Sequence, residues 1–300
     1  MRLTSTRCAL PLSEMFVPKS DSPNHGQLGR LQECLRRHRR LVVLTGAGVS
    51  TESGIPDYRS EEVGRFARSN RRPVEYQQFV RSELVRRRFW ARNYIGWRQF
   101  RAFQPNVNHR CLANWEAARR LHWLITQNVD NLHQKAGSVN VTELHGSNYR
   151  VACIDCRAVH DREVIQEQLA ERNPEFRADV LEIAPDGDVD VSDEQAIAFQ
   201  PPVCTECHSD MMRPDVVFFG DNVPRCTVDH CKRTVTEGDG VLVLGTSLHV
   251  MSSYRFVRQA ISERKPVYAI NIGPTRADAE LTLKLSARCS EVLPRISLEP

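Results

Sequence analysis

Four of the ten cysteines form two matched pairs, Cys153-x-x-Cys156 and Cys204-x-x-Cys207. Two thiolates two residues apart can grip one side of a tetrahedral zinc ion, and a second pair closes a four-sulfur site with no position left for water. Such a site staples a fold and performs no chemistry of its own. A redox role for Cys153 and Cys156 is disfavoured by the matching second pair, and the remaining cysteines are scattered as in a reducing compartment. A second constellation is Gly46-Ala47-Gly48, directly after the apolar run LVVLT. Glycines there permit a tight turn and bring backbone N–H groups close to phosphate oxygens at a helix start. The third glycine of the dinucleotide fingerprint is replaced by Thr51, and no acid about 20 residues on closes a standard βαβ unit, which disfavours an ordinary dehydrogenase. A third constellation is polar: Gln127, Asn128 and Asp130 follow the run LHWLIT, and His145 follows VTEL. His145 falls near the other three if both runs end at the carboxyl edge of one sheet, where such sheets bind ligands. Read alone, Asn and Asp at strand ends are equally turn formers.

The elements that must position these groups are short apolar strands: Leu41–Leu44, Leu121–Thr126, Val141–Leu144, Val216–Phe219, Val241–Leu244, Val267–Ile272 and Val292–Leu293. Runs of this kind suit parallel strands buried on both faces. Helical spacing of apolar residues predicts helices over Leu28–Arg40, Asn106–Arg120 and Ser253–Arg264. The alternation predicts an α/β fold, a doubly wound and mostly parallel Rossmann-like sheet built from 28–60, 105–148 and 212–300. Two insertions break the rhythm, a basic and aromatic helical segment over 61–104 and a zinc-binding segment over 149–211. Together they are expected to form a smaller domain. The acidic stretch near 185–195 is expected to project from the zinc module.

Composition narrows the classes further. The chain has 300 residues with 41% hydrophobic and 26% charged, which is enough for a sizeable core and unlike a disordered or fibrous protein. No apolar run approaches the roughly 20 residues that span a bilayer, so no membrane partner is expected. Net charge is +4. The arginines between Leu28 and Phe103 are interleaved with apolar residues and read as solvated helix faces, so no nucleic-acid partner is expected either. Residues 1–27 form a tail whose first 13 residues carry Arg2, Arg7 and four Ser or Thr with no acid. That pattern fits a mitochondrial transit peptide and a matrix location, with an untargeted disordered tail as the alternative. A monomer is expected.

The block GAGVSTESGIPDYRS, Gly46–Ser60, resembles the cofactor loop of the sirtuins, the NAD-dependent protein lysine deacylases. The resemblance recurs in order along the chain: QNVDNLH (Gln127–His133), ELHGS around His145, RPDVVFFGD (Arg213–Asp221), GTSLHV (Gly245–Val250) and NIGPT (Asn271–Thr275). It covers about Leu28 to Pro294. Tyr58, Asp221, the acidic insertion and the Cys289 loop look most similar to a mitochondrial branch of the family.

The resemblance implies NAD as co-substrate, with nicotinamide, free lysine and O-acyl-ADP-ribose as products. It implies cofactor contacts from Gly46, Ala47, Gly48, Ser50, Ile55, Asp57, Tyr58 and Arg59 in the first loop. Further cofactor contacts are implied for Gln127, Asn128 and Asp130, for Gly245, Thr246 and Ser247, and for Asn271, Ile272, Gly273 and Cys289. Asp130 would hold the nicotinamide carboxamide, Asn128 the ribose and a water, and His145 would act as general base on the ribose hydroxyls. Acylated lysine of a protein partner would lie along Val216, Val217, Phe218, Phe219, Gly220 and Val250. Relatives that favour short dicarboxylic acyl chains carry a Tyr and an Arg three residues apart. Aligned through Trp90, these positions are Asn93 and Gly96, so that clamp is absent. Gly96 would leave room, Arg92 and Asn93 would line the acyl pocket, and longer or branched acyl groups with a polar end are expected over acetyl. Mono-ADP-ribosyl transfer to protein is the alternative within enzymology, and a slow NAD-binding regulator acting by contact the alternative outside it.

Overall fold

The computed structural model describes residues 15–69, 72–177, 184–189 and 196–298. Along the chain, α1 (His25–Arg36) leads into β1 (Leu41–Thr45), and α2 (Glu83–Phe100) and α3 (Val107–Ala117) precede β2 (Leu121–Thr126) and β3 (Val141–Glu143). There follow β4 (Gly146–Cys153), β5 (Val159–Asp161), α4 (Arg162–Arg172) and β6 (Met212–Val216). The chain then runs through α5 (Arg225–Glu237), β7 (Gly240–Leu244), α6 (Met251–Ser262), β8 (Val267–Ile270) and β9 (Leu283–Leu285). Six strands form one sheet in the order β3-β2-β1-β7-β8-β9, and every pairing in it is parallel.

The sheet is buried on both faces, and the period of two along β1 divides its side chains between two cores. Leu41 and Val43 pack with Leu28, Leu31 and Leu35 of α1 and Leu112 and Trp115 of α3. Val42 and Leu44 point the other way, against Val228, Cys231 and Val235 of α5 and Phe256, Val257 and Ala260 of α6. Each Val, Leu or Phe side chain among them, fully buried, contributes about 1.5–3 kcal/mol. Helix starts are fixed locally: Asn24 caps α1 in a capping box with Gln27, and Asn106 caps α3 in one with His109.

The two insertions share a third core, in which Phe79, Trp90 and Ala91 meet Val151, Ile165, Leu169, Phe199 and Met212. Here β5, β4 and β6 form a small antiparallel sheet.

Several sequence expectations need correction. Val216–Phe219 is not a strand of the parallel sheet: Val216 ends β6, and Val217 to Phe219 run on as a cleft-lining segment whose Val217 N–H donates to the His145 carbonyl at 2.8 Å. Val292 and Leu293 lie in the helical turns Cys289–Val292 and Leu293–Arg295, and the sixth parallel strand is β9 instead. The body also begins before Leu28, since Phe16 and Val17 are buried and α1 starts at His25. The transit-peptide expectation rests on residues 1–13, which lie outside the described residues.

Candidate active site

One cavity of about 1460 Å³ opens where the carboxyl ends of β1, β2, β7 and β8 face the small antiparallel module. Ligand pockets commonly measure about 300–1,000 Å³, so this cleft has room for two reactants. Every expected cofactor and substrate position lines it except Gly46 and Arg92. The glycines of the first turn have a local reason. A Cβ on Gly46 would sit 2.6 Å from Thr246 Cβ, and one on Gly48 would sit 2.9 Å from the Gly245 backbone. The turns after β1 and β7 therefore press backbone to backbone, with Gly46 N–H donating to the Leu244 carbonyl at 3.0 Å and Gly48 N–H to the Gly245 carbonyl at 2.9 Å. Asp57 shapes the same loop by accepting from the N–H groups of Arg59 and Ser60 at 2.8 and 2.7 Å.

Asp130 is buried at one end of the cleft. Ser50 Oγ donates to its Oδ2 at 2.7 Å and Leu132 N–H to its Oδ1 at 3.0 Å. Burial raises its pKa, and these two donors oppose the rise. Ser50 Oγ accepts in turn from Asn128 Nδ2 at 3.1 Å, and Asn128 Nδ2 also donates to the Gly46 carbonyl at 3.1 Å. His109 Nε2 lies 3.3 Å from Ser50 Oγ, while the Asn106 N–H donates to His109 Nδ1 at 3.3 Å. Nδ1 also lies 3.1 Å from Asn106 Oδ1, so the tautomer follows from the other nitrogen: Ser50 gives its one hydrogen to Asp130, and Nε2 therefore donates to Ser50. His109 was missed by sequence reasoning; its one available signal is the capping-box spacing from Asn106.

His145 stands across the cleft floor. Its Nδ1 is 3.0 Å from the Gln127 carbonyl oxygen, which can only accept, so Nδ1 is protonated and Nε2 carries the lone pair, which accepts from the Ser252 hydroxyl. Ser252 Oγ, also not foreseen, lies 2.9 Å from that Nε2. Burial pulls the His145 pKa down to about 4, against the opposing pull of the Gln127 carbonyl. The ring is a neutral base at physiological pH. Cys289, by contrast, is a buried thiol pushed up to about 12 by desolvation, which suits a packing role and no reactivity.

The model of the Sir2 family matches residues 46–252, a span that contains Asp130, His145 and all four paired cysteines. This chain belongs to the Sir2 family. A Bos taurus relative, NAD-dependent protein lipoamidase sirtuin-4, mitochondrial, is 49% identical over 97% of this chain and 92% of its own. NAD-dependent protein deacylase Sirt4 of Drosophila melanogaster is 48% identical over 98% and 94%. Among solved structures, a Sir2 protein with a p53 peptide and NAD+ has a TM-score of 0.67 at 27% identity, covering 90% of this chain and 96% of that one. A mutant Sir2 homologue in complex with ADP ribose reaches 0.70 at 28% identity, covering 89% and 94%.

In this sirtuin the four cysteines converge away from the cleft. Their sulfurs all lie within 4.8 Å of one another, with Cys153 and Cys207 Sγ 3.6 Å apart and Cys156 and Cys204 Sγ 3.6 Å apart. A tetrahedron with zinc–sulfur bonds of about 2.3 Å has edges of about 3.8 Å, so the set fits zinc and is far too open for disulfides.

The acyl end departs most from the sequence expectation. The acidic turn does not project. Residues 184–189 fold back onto the cleft, where Asp186 and Asp188 line the cavity. Asn148 Nδ2 donates to the Asp186 carbonyl at 2.6 Å, and the turn is closed by Ala184 N–H to the Asp188 carbonyl at 2.7 Å. Residues 190–195 of the same stretch lie outside the described residues. Arg92 does not line the cavity; its Nε pairs with Asp188 at 2.9 Å, both side chains being largely buried. The room expected at Gly96 is taken, because a Cβ there would lie 2.2 Å from the Gly187 carbonyl oxygen. Asn93 does line the cavity. Tyr58 faces the acidic turn, and burial followed by the Asp186 charge raises its phenol well above 10.

Proposed function

We propose that this sirtuin removes acyl groups from protein lysines at the expense of NAD, releasing nicotinamide and O-acyl-ADP-ribose. The observation that carries this reading is a neutral His145 with its lone pair on Nε2, in one cleft with Asp130, Asn128 and the glycine turn. NAD bound there supplies an activated ribose carbon from which nicotinamide can leave. Asp130 accepts from the carboxamide, and Asn128, held by Ser50 and Gly46, orients the ribose. The segment Val216 to Gly220 and Val250 hold the acyl-lysine in the same cavity, so positioning of a weak nucleophile contributes most of the rate. His145 Nε2 then takes a proton from a ribose hydroxyl, and the Gln127 carbonyl steadies the imidazolium through Nδ1–H. Zinc on Cys153, Cys156, Cys204 and Cys207 holds the module and takes no step.

The small domain is best drawn as 61–104 with 149–211, because the two segments share one core. The name deacylase supports acyl-lysine as substrate, and lipoamidase, in the name of the Bos taurus relative, supports a longer acyl group. The word mitochondrial in that same name, with the basic and hydroxylated start of the chain, supports a matrix location. The test is incubation with NAD and a panel of acylated peptides, reading peptide mass and nicotinamide. Loss of acyl mass supports the deacylase. Gain of mass on protein supports ADP-ribosyl transfer, and neither change supports a regulator acting by contact.

A further inference from the structure

Arg162, the first residue of α4, is 1% exposed. Its guanidinium lies 5.7 Å from the Trp90 ring centre and 4.8 Å from that of Trp97. A cation at a helix N-terminus opposes the helix dipole, and burying one without an anion is costly. The nearby acids do not hydrogen-bond to it. Glu163 is engaged by Arg101 and Trp97, and Asp161 caps the helix by accepting from Glu163 N–H. Nε and Nη1 of Arg162 have no partner among the described residues. Its hydrogen bonds all go to one residue: Nη2 donates to Asn93 Oδ1 at 2.8 Å and to the Asn93 carbonyl at 3.4 Å. Burial lowers its pKa to about 9, which still leaves it charged at neutral pH.

This contact settles which way the Asn93 amide points. A guanidinium only donates, so Oδ1 must face Arg162 and Nδ2 must face away from it. Asn93 also lines the cleft, as do Phe89, Asn148 and Asp188. No acceptor among the described residues takes up its N–H groups, and Nδ2 is not among the buried unpartnered atoms. The amide is therefore a pre-oriented donor, polarised by a buried cation, on the cavity wall. Arg92 does not supply that donor, because it does not line the cavity and its Nε pairs with Asp188.

We propose that Arg162 is a positioning residue for acyl selection: it holds Asn93 with its N–H groups toward the cleft, so the site takes acyl chains bearing an oxygen acceptor at that depth. A chain that is apolar there leaves a donor desolvated and unpaired, which is the stronger form of discrimination. The inference rests on the deacylase reading and names the acyl class that reading leaves open.

The test is a ratio. Two lysine peptides are compared, one with a keto-ended six-carbon acyl chain and one with its branched-alkyl isostere, in which a methyl replaces the ketone oxygen. Wild type is expected to favour the keto chain about tenfold or more in kcat/KM. Asn93→Asp keeps an acceptor for Arg162 but offers no N–H to the cleft, and the preference should vanish. Arg162→Met frees the amide to turn, and the preference should shrink; a purely structural role would slow both peptides equally and leave the ratio alone. If Arg162→Met does not fold, the Asn93→Asp ratio decides. An active wild type with no keto preference, or a preference that survives Asn93→Asp, overturns the inference alone. No nicotinamide release from any acyl peptide overturns the deacylase reading and the inference with it.

Discussion

His145 Nδ1 and the Gln127 carbonyl oxygen are 3.0 Å apart, and this contact places the ring hydrogen on Nδ1 and the lone pair on Nε2. The carbonyl belongs to the segment after β2 that also carries Asn128 and Asp130, so the proposed base and the proposed cofactor contacts are built on one stretch of chain. His145→Ala is expected to lower acyl-peptide turnover by about 10²–10⁴-fold while NAD affinity changes only a few-fold. Steady-state rates beside direct NAD titration check this, and wild-type turnover in the folded variant would remove His145 from the chemistry.

Three histidines are held neutral by burial: His133 at about 3, His145 at about 4, and His109 well below its usual 6.5. In each case the folded pKa lies below the unfolded one, so the unfolded chain takes up protons first as pH falls. Their contribution to stability is complete above about pH 6.5 and is lost progressively on acidification toward pH 4 and 3. By pH 5 His133 and His145 have each given up about 2 kcal/mol of it. Denaturant midpoints at pH 7.5, 6 and 5 should fall in that order. The acid limb of kcat/KM should also lie nearer pH 4 than pH 6.5. A flat stability profile, or an acid limb at the ordinary imidazole pKa, would show that these rings are solvated.

Cys204 is fully buried in the core that also holds Phe199, Met212 and Phe218, and Phe218 lines the cleft. Metal loss should therefore reach the substrate wall. Metal analysis should find about one zinc per chain. Cys204→Ser should lower that content, the melting temperature and the activity together, because metal binding here is folding energy. An active, well-folded protein without zinc would show that the four sulfurs serve no structural metal.

What the sequence makes legible is whatever short-range pattern encodes. The run Leu41 to Thr45 is apolar at each position before the threonine and sits beside a glycine, and it is the central strand, buried throughout. The cysteine pairs announce one another by spacing. Val292 and Val216 misled because a short apolar run fits a buried helix turn or a cleft segment as well as a strand. Helix α5 was not foreseen, since its buried set of Val228, Cys231, Thr234 and Val235 is diluted by charged neighbours. The acyl end was illegible for another reason. Arg162 meets Asn93 across 69 positions of sequence, and Gly96 meets Gly187 across a still longer span. No local periodicity records either contact.

That second contact makes the last prediction. Read as sequence, Gly96 leaves room in the acyl pocket, and Asn93→Tyr with Gly96→Arg should supply the missing clamp for carboxylate-ended chains. In the structure the carbonyl of Gly187 occupies the opening, 2.2 Å from where a Cβ would stand, and Val189 Cγ1 is 2.9 Å away. Both neighbours belong to the acidic turn, and Gly187 itself is held at φ +78 against the Phe100 ring. The turn cannot retreat without loosening the Arg92–Asp188 pair and the hydrogen bond from Asn148. Gly96→Ala is therefore expected to destabilise the protein by about 1–3 kcal/mol through overpacking, and Gly96→Arg by more. Gly29, on an exposed face of α1 where a Cβ would meet nothing within 4 Å, is the matched control. Gly29→Ala should stabilise by about 0.5–1 kcal/mol from helix propensity alone. Chemical denaturation of the two alanine variants measures the contrast. A Gly96→Ala protein as stable as wild type would mean that the turn leaves the cleft readily, and the pocket beside Asn93 would then be open as the sequence first suggested.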